Sequence, residues 1–237
     1  MRRTAISFAL LMILAPLGQV SASESKSPTL SPYRAVYASQ WDLGLSFSGD
    51  AIRELRQQGD NWSLSIKASA LIAKISESSL LNYNNGTVQP ARYEYHRKVL
   101  GRKRDTILQF NWSKGSVLND TAEPPWSMDI PVGTLDKISY QLQLRLDLIN
   151  KKKELVYQIA DKGQLKTYRF KRVGNETIKT DLGEFDVIKI QRDRGENSKR
   201  ETFIWLAPEL DYLIVKLHQI ETDGKEYTLL LNKLDMQ

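Results

Sequence analysis

The sequence predicts a mainly β fold: a strongly curved antiparallel sheet or incomplete β-barrel with one packed α-helix. Three observations lead there. Apolar and polar residues alternate with period two over most of the chain, turn signals recur between these runs, and one segment repeats at helical spacing.

The alternation begins at Tyr33, Ala35, Tyr37, Ser39 and Trp41, interleaved with Arg34, Val36, Ala38 and Gln40. It is cleanest from Trp62 to Ala70, where Trp62, Leu64, Ile66, Ala68 and Ala70 share one side. Ser63, Ser65, Lys67 and Ser69 take the other, the pattern of a strand with one face on a core and one in water. Thr106, Leu108, Phe110 and Trp112 repeat it, as do Leu155, Tyr157 and Ile159. Turn signals stand at Gly59-Asp60-Asn61, Asn84-Asn85-Gly86, Ser113-Lys114-Gly115, Asp161-Lys162-Gly163, Val173-Gly174-Asn175 and Asp223-Gly224. Such spacing describes a meander of about eleven or twelve strands.

One segment departs from the pattern. Pro124, Pro125 and Pro131 close the first run, and Thr134 then stands where a helix N-cap would, with Asp136 in the first turn. Leu135, Ile138, Leu142, Leu146 and Ile149 fall on one helical face. Ile138, Tyr140, Leu142, Leu144, Leu146 and Leu148 also alternate as a strand would, so periodicity alone leaves both readings open. The cap, the prolines and the Leu/Gln/Arg-rich composition favour a helix, which Lys151, Lys152 and Lys153 would close. The economical arrangement packs that helix into the concavity of the curved sheet.

Composition bounds the function. Of 237 residues, 41% are hydrophobic and 26% charged, the proportions of a globular domain. Zero cysteines exclude disulfides, thiolate metal sites and cysteine nucleophiles, and two histidines exclude a three-histidine metal centre. No metal or cofactor is expected. Residues 1–22 read as a signal peptide: Arg2 and Arg3, an apolar stretch from Ile6 to Leu14, and Val20-Ser21-Ala22 at the cleavage site. The stretch is shorter than the ~20 residues that span a bilayer. Residues 23–32, rich in Ser and Pro, read as a flexible leader, and 33–237 as a single domain. The expectation is a periplasmic product that is not an integral membrane protein. Losing Arg2 and Arg3 would lower the formal charge of +6 by two.

Asp136-Lys137-Ile138-Ser139-Tyr140 with Leu144-Arg145, and Ala160-Asp161-Lys162-Gly163, resemble the bacterial DUF3108 family. So do Thr180-Asp181-Leu182-Gly183-Glu184-Phe185, and Trp205-Leu206-Ala207-Pro208 with Asp211-Tyr212-Leu213. Where the family pattern is similar to Tyr-Leu-Pro-Val, this chain has Tyr212-Leu213-Ile214-Val215. The resemblance implies an exported, mostly β protein of unassigned activity, and it supplies no catalytic residues.

The strongest local chemistry is cationic. Two strands meet near Gly101 and bring Arg97, Lys98, Arg102, Lys103 and Arg104 to one hairpin end. Such a cluster attracts phosphate or carboxylate groups of a lipid or an anionic envelope polymer, or it keeps a solvated hairpin from pairing edge to edge. Nucleic acid is not expected, because no recognition motif accompanies the charge. Trp126, between Pro125 and Ser127, is a candidate for the rim of a cavity, whereas Trp41, Trp62, Trp112 and Trp205 suit a β core. Asp136 and Ser139 read as an acid and a nucleophile or as helix-start residues. Gly44-Leu45-Ser46-Phe47-Ser48 lacks the last glycine of a nucleophile elbow. His218 suits a strand.

These features support a non-enzymatic periplasmic binding or carrier protein for an amphiphilic, lipid-like or anionic envelope ligand, held in an apolar cavity between helix and sheet. The alternative is an envelope interaction or scaffold module with a filled core that engages a partner protein or cell-wall polymer. An outer-membrane barrel fits less well, since Ala51 to Gln58 and Gln191 to Arg200 are heavily charged.

Overall fold

The computed structural model describes residues 28–42, 44–71, 73–99 and 101–236. The signal peptide read over residues 1–22 lies outside them. The N-terminal half is a meander: β1 (Tyr33–Asp42), β2 (Ser46–Gln58), β3 (Asn61–Ala70), β4 (Ala73–Asn84), β5 (Thr87–Val99), β6 (Arg102–Asn111), β7 (Ser116–Asn119) and β8 (Trp126–Asp129). Helix α1 (Ser139–Ile149) follows. The second half comprises β9 (Leu155–Asp161), β10 (Gln164–Thr180), β11 (Gly183–Asp193), β12 (Glu201–Ala207), β13 (Leu213–Ile220) and β14 (Glu226–Met236).

All fourteen strands form one antiparallel sheet in the order β8-β7-β6-β5-β4-β3-β2-β1-β14-β13-β12-β11-β10-β9. Pairing of β1 with β14 joins the two halves, so chain neighbours are sheet neighbours everywhere else. The sheet does not close into a barrel, because no ladder links its terminal strands β8 and β9. A single parallel bridge, Leu135 to Ile159, ties the linker before α1 to β9. Among the described residues no helix is long and apolar enough to cross a membrane.

Alternate turns stand at opposite ends of this meander. One end carries the turns β1–β2, β3–β4, β5–β6 (Gly101) and β9–β10 (Gly163); the other carries β2–β3, β4–β5 (Gly86) and β12–β13. Helix α1 lies inside the curve toward the Gly86 end. Its Gln143 side chain donates to the Gly86 carbonyl and accepts from Val88 N–H, at 3.0 and 2.8 Å. Arg145 Nε donates to the Asp211 carbonyl at 2.6 Å.

The helix is buried on nearly every side: Tyr140, Leu142, Leu144, Leu146 and Leu148 are all in the core with Ile138. Enclosure explains why its sequence reads equally as helix and strand. A helix surrounded by sheet carries apolar residues on more than one face rather than in one stripe, and its polar Gln143, Arg145 and Asp147 are hydrogen-bonded to the chain around it. Burying each leucine contributes about 2 kcal/mol. Tyr140 stacks on Phe170 at 5.6 Å and meets Tyr168 edge-on at 5.4 Å. A Schellman turn ends the helix, with Lys152 N–H to Asp147 O at 2.9 Å and Lys151 in the left-handed region.

Curvature has local causes. Register shifts interrupt the ladders at Val36/Tyr37, Leu80/Leu81, Arg172/Gly174 and Trp205/Leu206. Toward the Gly101 end the inner face of β2, β3 and β4 carries Ala51, Ala68, Ala70 and Ala73, small enough for the sheet to curl tightly. Gly49 marks the closest approach, since a Cβ there would stand 2.0 Å from the Ser69 carbonyl oxygen.

Several expectations need correction. Val173-Gly174-Asn175 is a bulge inside the long strand β10; the reversal falls at Asp181-Leu182, because Gly174 can be absorbed in a ladder that continues on both sides. Thr134 does not cap the helix: its hydroxyl donates to the Pro131 carbonyl at 2.8 Å, and Leu135 is spent on the bridge to β9. The end of the supposed flexible leader is anchored, with Leu30 buried in the core and the Pro28 carbonyl accepting from Tyr83. Trp62 and Trp205 are core residues and Trp112 packs against the core from its edge, whereas Trp41 is buried outside that cluster, edge-on to Tyr227 at 5.8 Å.

Replacing Gly49 by alanine forces β2 and β3 apart. Urea denaturation of Gly49→Ala is expected to show a loss of about 1–3 kcal/mol, the cost of inserting a methyl group where none fits.

Candidate functional site

Strand alternation divides the five predicted cations. Register pairs Arg97 with Arg104 and Val99 with Arg102, and these share the inner face with Tyr93 and Tyr95. Lys98 and Lys103 face each other on the outer side. The five therefore do not converge on one mouth, because successive side chains of a strand leave on opposite faces. Each face instead carries a like-charged pair directly across the ladder, an arrangement that costs stability unless something anionic offsets it.

Trp126 opens β8 rather than rimming a cavity. Its indole lies against Gly163, where a Cβ would meet it at 3.5 Å, and so it covers the seam between the two ends of the sheet. The seam stays open higher up. Strand β7 pairs only with Gln109 to Asn111 of β6, which leaves Arg102 to Leu108 without a strand on that side. Across the gap stand the end of β9 and the turn after it. The slit between them has a volume of about 200 Å³ and is lined by Tyr93, Tyr95, Arg104, Lys137, Asp161 and Arg200, among others.

Its charge is strongly positive. Asp161 is already engaged by Lys166 at 2.6 Å and Lys137 at 3.1 Å. Burial pushes its carboxyl up, but these two lysines outweigh burial and hold it below the usual carboxylate range. Behind Arg200 lie Arg194 and Arg192. Arg194 donates to Thr202 Oγ1 at 3.0 Å, Arg200 to Glu221 at 2.8 Å, and the Arg192 guanidinium covers the Tyr168 ring. Burial, then the charges of Arg192 and Arg200, push Arg194 down to about 10. The Nε atoms of Arg192 and Arg200 are buried without a hydrogen-bond partner. A buried unpaired donor costs about 1–3 kcal/mol, and more where the group is charged. Around the slit, cationic side chains outnumber acidic ones.

Asp136 and Ser139 serve the backbone. Asp136 Oδ1 accepts from the N–H groups of Ile138 and Ser139 at 2.9 and 2.8 Å, and Ser139 Oγ accepts from Asp136 N–H at 2.9 Å. This is a reciprocal cap over the turn that leads into the helix, from Asp136 to Ser139. Asp136 Oδ2 accepts from Ser79 Oγ at 2.6 Å, which fixes the helix start to β4. Burial pushes the Asp136 carboxyl up, and it pushes up Glu77 as well, which accepts from the Tyr93 hydroxyl at 2.6 Å. His218 is a strand residue bonded to Thr228 at 2.9 Å, and His96 meets Asp105 at 2.8 Å. Among the described residues no three His, Asp or Glu side chains gather as a metal set.

Among the described residues the space between helix and sheet is occupied by packed side chains. Leu55, Leu64, Leu81, Leu108 and Ile159 meet the leucines of α1, and the expected cavity between helix and sheet is filled. The reason is the helix itself, whose bulk occupies the concavity from inside. A space of about 200 Å³ suits a headgroup-sized anion and falls below the several hundred of a drug-sized ligand site.

Sequence reasoning found Arg104 but missed Arg192, Arg194 and Arg200. Their parity was readable, since all three share the inward set with Ile190 and Thr202. What could not be read was that β11 and β12 stand across the slit from β6.

The family model described as "Protein of unknown function (DUF3108)" matches residues 33–231. The chain belongs to the DUF3108 family. A search of the curated proteins gave no match. Among solved structures, this DUF3108 protein is similar to a β-barrel-like protein of the DUF1849 domain from Brucella abortus. The TM-score is 0.59 at 10% identity, covering 88% of this chain and 98% of that one. That likeness supports the barrel-like architecture. Looser matches are an exported protein with a YmcC-like fold from Bacteroides fragilis and an outer membrane lipoprotein-sorting protein domain from Vibrio parahaemolyticus. Their TM-scores are 0.33 and 0.25, at 10% and 11% identity. They cover 88% and 87% of this chain, and 97% and 86% of their own. Neither bears on the argument.

Removing the Asp136 carboxylate should unfasten the helix from the sheet. Asp136→Ala is expected to lose about 2–3 kcal/mol in urea denaturation, from the lost cap and an unpaired Ser79. Ser139→Ala, which removes one reciprocal bond, should lose about 1 kcal/mol.

Proposed function

We propose that this DUF3108 protein is a non-enzymatic binding or carrier protein of the periplasm that captures an anionic, lipid-like ligand of the envelope by its head. The observation that carries the reading is the slit. Arg104, Lys137 and Arg200 line it, Arg192 and Arg194 stand behind it, and two of the buried guanidinium Nε atoms have no partner. Compartment rests on the basic and apolar leader of residues 1–22. The absence of an enzymatic role is part of the proposal, because the best acid and hydroxyl, Asp136 and Ser139, are committed to backbone N–H groups and to each other.

The head would sit among the arginines, where bidentate guanidinium contacts suit phosphate or carboxylate oxygens. An acyl chain has no room beside α1, so it would leave through the seam between β6 and β9, past the edge that Trp126 covers. A second reading, an interaction module for an envelope protein or cell-wall polymer, is favoured by the filled interior. Both readings place no nucleic acid in the site.

Titration with monomeric lysophosphatidylglycerol and lysophosphatidylcholine, read by native mass spectrometry, separates the two. The carrier reading expects the anionic lipid to bind, the zwitterionic one to bind weakly, and Arg104→Gln with Arg200→Gln to weaken binding more than tenfold, since each removes a charged hydrogen bond. Equal affinity for both lipids, or none for either, would leave the interaction module standing.

A further inference from the structure

The Gly101 end has a second feature, on the other side of the sheet from the slit. The turns β1–β2 and β3–β4 stand side by side there, and each lifts a leucine into solvent: Leu45 is 72% exposed and Leu71 93%. Immediately below the tips, on the outer face, register sets Lys74 opposite Lys98 and Lys98 opposite Lys103, on β4, β5 and β6. Three like charges in a cross-strand row, with Cβ atoms about 5 Å apart from strand to strand, destabilise a free sheet. One row further from the tips, Lys67 adds a fourth. These lysines border a trough of about 750 Å³ whose other walls include Asp50, Ser76, His96 and Asp105. Of the two acids, Asp105 is engaged by His96 at 2.8 Å, while Asp50 stands at the far end of the lysine row, opposite Ser69.

We infer that this end of the molecule docks on an anionic bilayer, with Leu45 and Leu71 entering the headgroup region and Lys74, Lys98 and Lys103 facing lipid phosphates. The combination selects a membrane over a soluble polyanion. A polyanion would match the lysines and leave two exposed leucines on neighbouring tips unused. A bilayer interface takes both, burying the leucine side chains while the lysines meet the negative surface potential. Neither signal suffices alone: two leucines bury little area, and a short lysine row is screened within about a Debye length. The docking does not depend on the slit, although it would set the β9–β10 turn and the slit beside the same surface.

Co-sedimentation of the exported protein with phosphatidylcholine vesicles, with and without phosphatidylglycerol, tests the inference. The protein should partition onto phosphatidylglycerol vesicles at low salt and leave them at high salt. Lys74→Gln, Lys98→Gln and Lys103→Gln together should lower partitioning roughly a hundredfold, about fivefold for each lysine. Leu45→Ser with Leu71→Ser should lower it roughly tenfold, and lysophosphatidylglycerol affinity should stay unchanged because neither leucine lines the slit. All five side chains are exposed, and thermal melts of the variants should overlay the parent. Partitioning that ignores phosphatidylglycerol, or variants that partition like the parent, would overturn the docking surface. Vesicle binding that persists while lysophosphatidylglycerol binding is absent would sink the slit reading and leave this one intact.

Discussion

The fold is organised around a helix that is buried on nearly every side. Exposed to water, α1 would leave Tyr140, Leu142, Leu144, Leu146 and Leu148 unburied on several faces, and no flat sheet could cover them all. A sheet that wraps around the helix can. The antiparallel meander supplies the strands, the register shifts supply bends, and Gly49 with the inner alanines lets β2, β3 and β4 turn sharply. The helix is then fixed at its start by Asp136 and Ser79 and along its body by Arg53, which donates to Gln141 at 2.6 Å and to Tyr33 at 3.0 Å.

The same constraint decides where chemistry is left. An eleven-residue helix is about 16 Å long, whereas ten-residue strands run about 33 Å. Packing α1 toward the Gly86 end therefore fills one part of the concavity and leaves the Gly101 end to side chains from the strands, the turns and the linker before the helix. Arginines on the two sides of that division behave differently. Arg53 and Arg145, beside the helix, find partners within the protein. Arg192 and Arg200, at the Gly101 end, keep buried Nε atoms without one. The first pair belongs to the architecture; the second is what the proposed anionic ligand would satisfy.

Much of the architecture was legible because period-two alternation reports one fact, which face of a strand is wet, and that fact survives without knowledge of neighbours. The hairpins at Gly86, Gly101, Gly163 and Gly224 were readable for the same reason, since positive φ at a tip demands glycine locally. The helix was ambiguous because enclosure erases the polar stripe that normally marks one. Val173-Gly174-Asn175 misled because a glycine bulge and a glycine turn share composition and differ only in whether the ladder resumes. The site was half legible. Arg97, Lys98, Arg102, Lys103 and Arg104 cluster in sequence, but alternation sends them to two faces. Arg200 comes to line the slit with Arg104 only through the joining of β1 to β14, which brings distant parts of the chain together.

The most direct test follows backbone amide chemical shifts during titration with glycerol 3-phosphate, a headgroup without a tail. The account predicts perturbations at Tyr95, Arg104, Lys137, Arg194 and Arg200, with the amides of Leu142 to Leu148 unmoved. Shifts that run along the helix instead would mean the concavity opens at its packed end, and would contradict the division of this molecule into a filled half and a binding half.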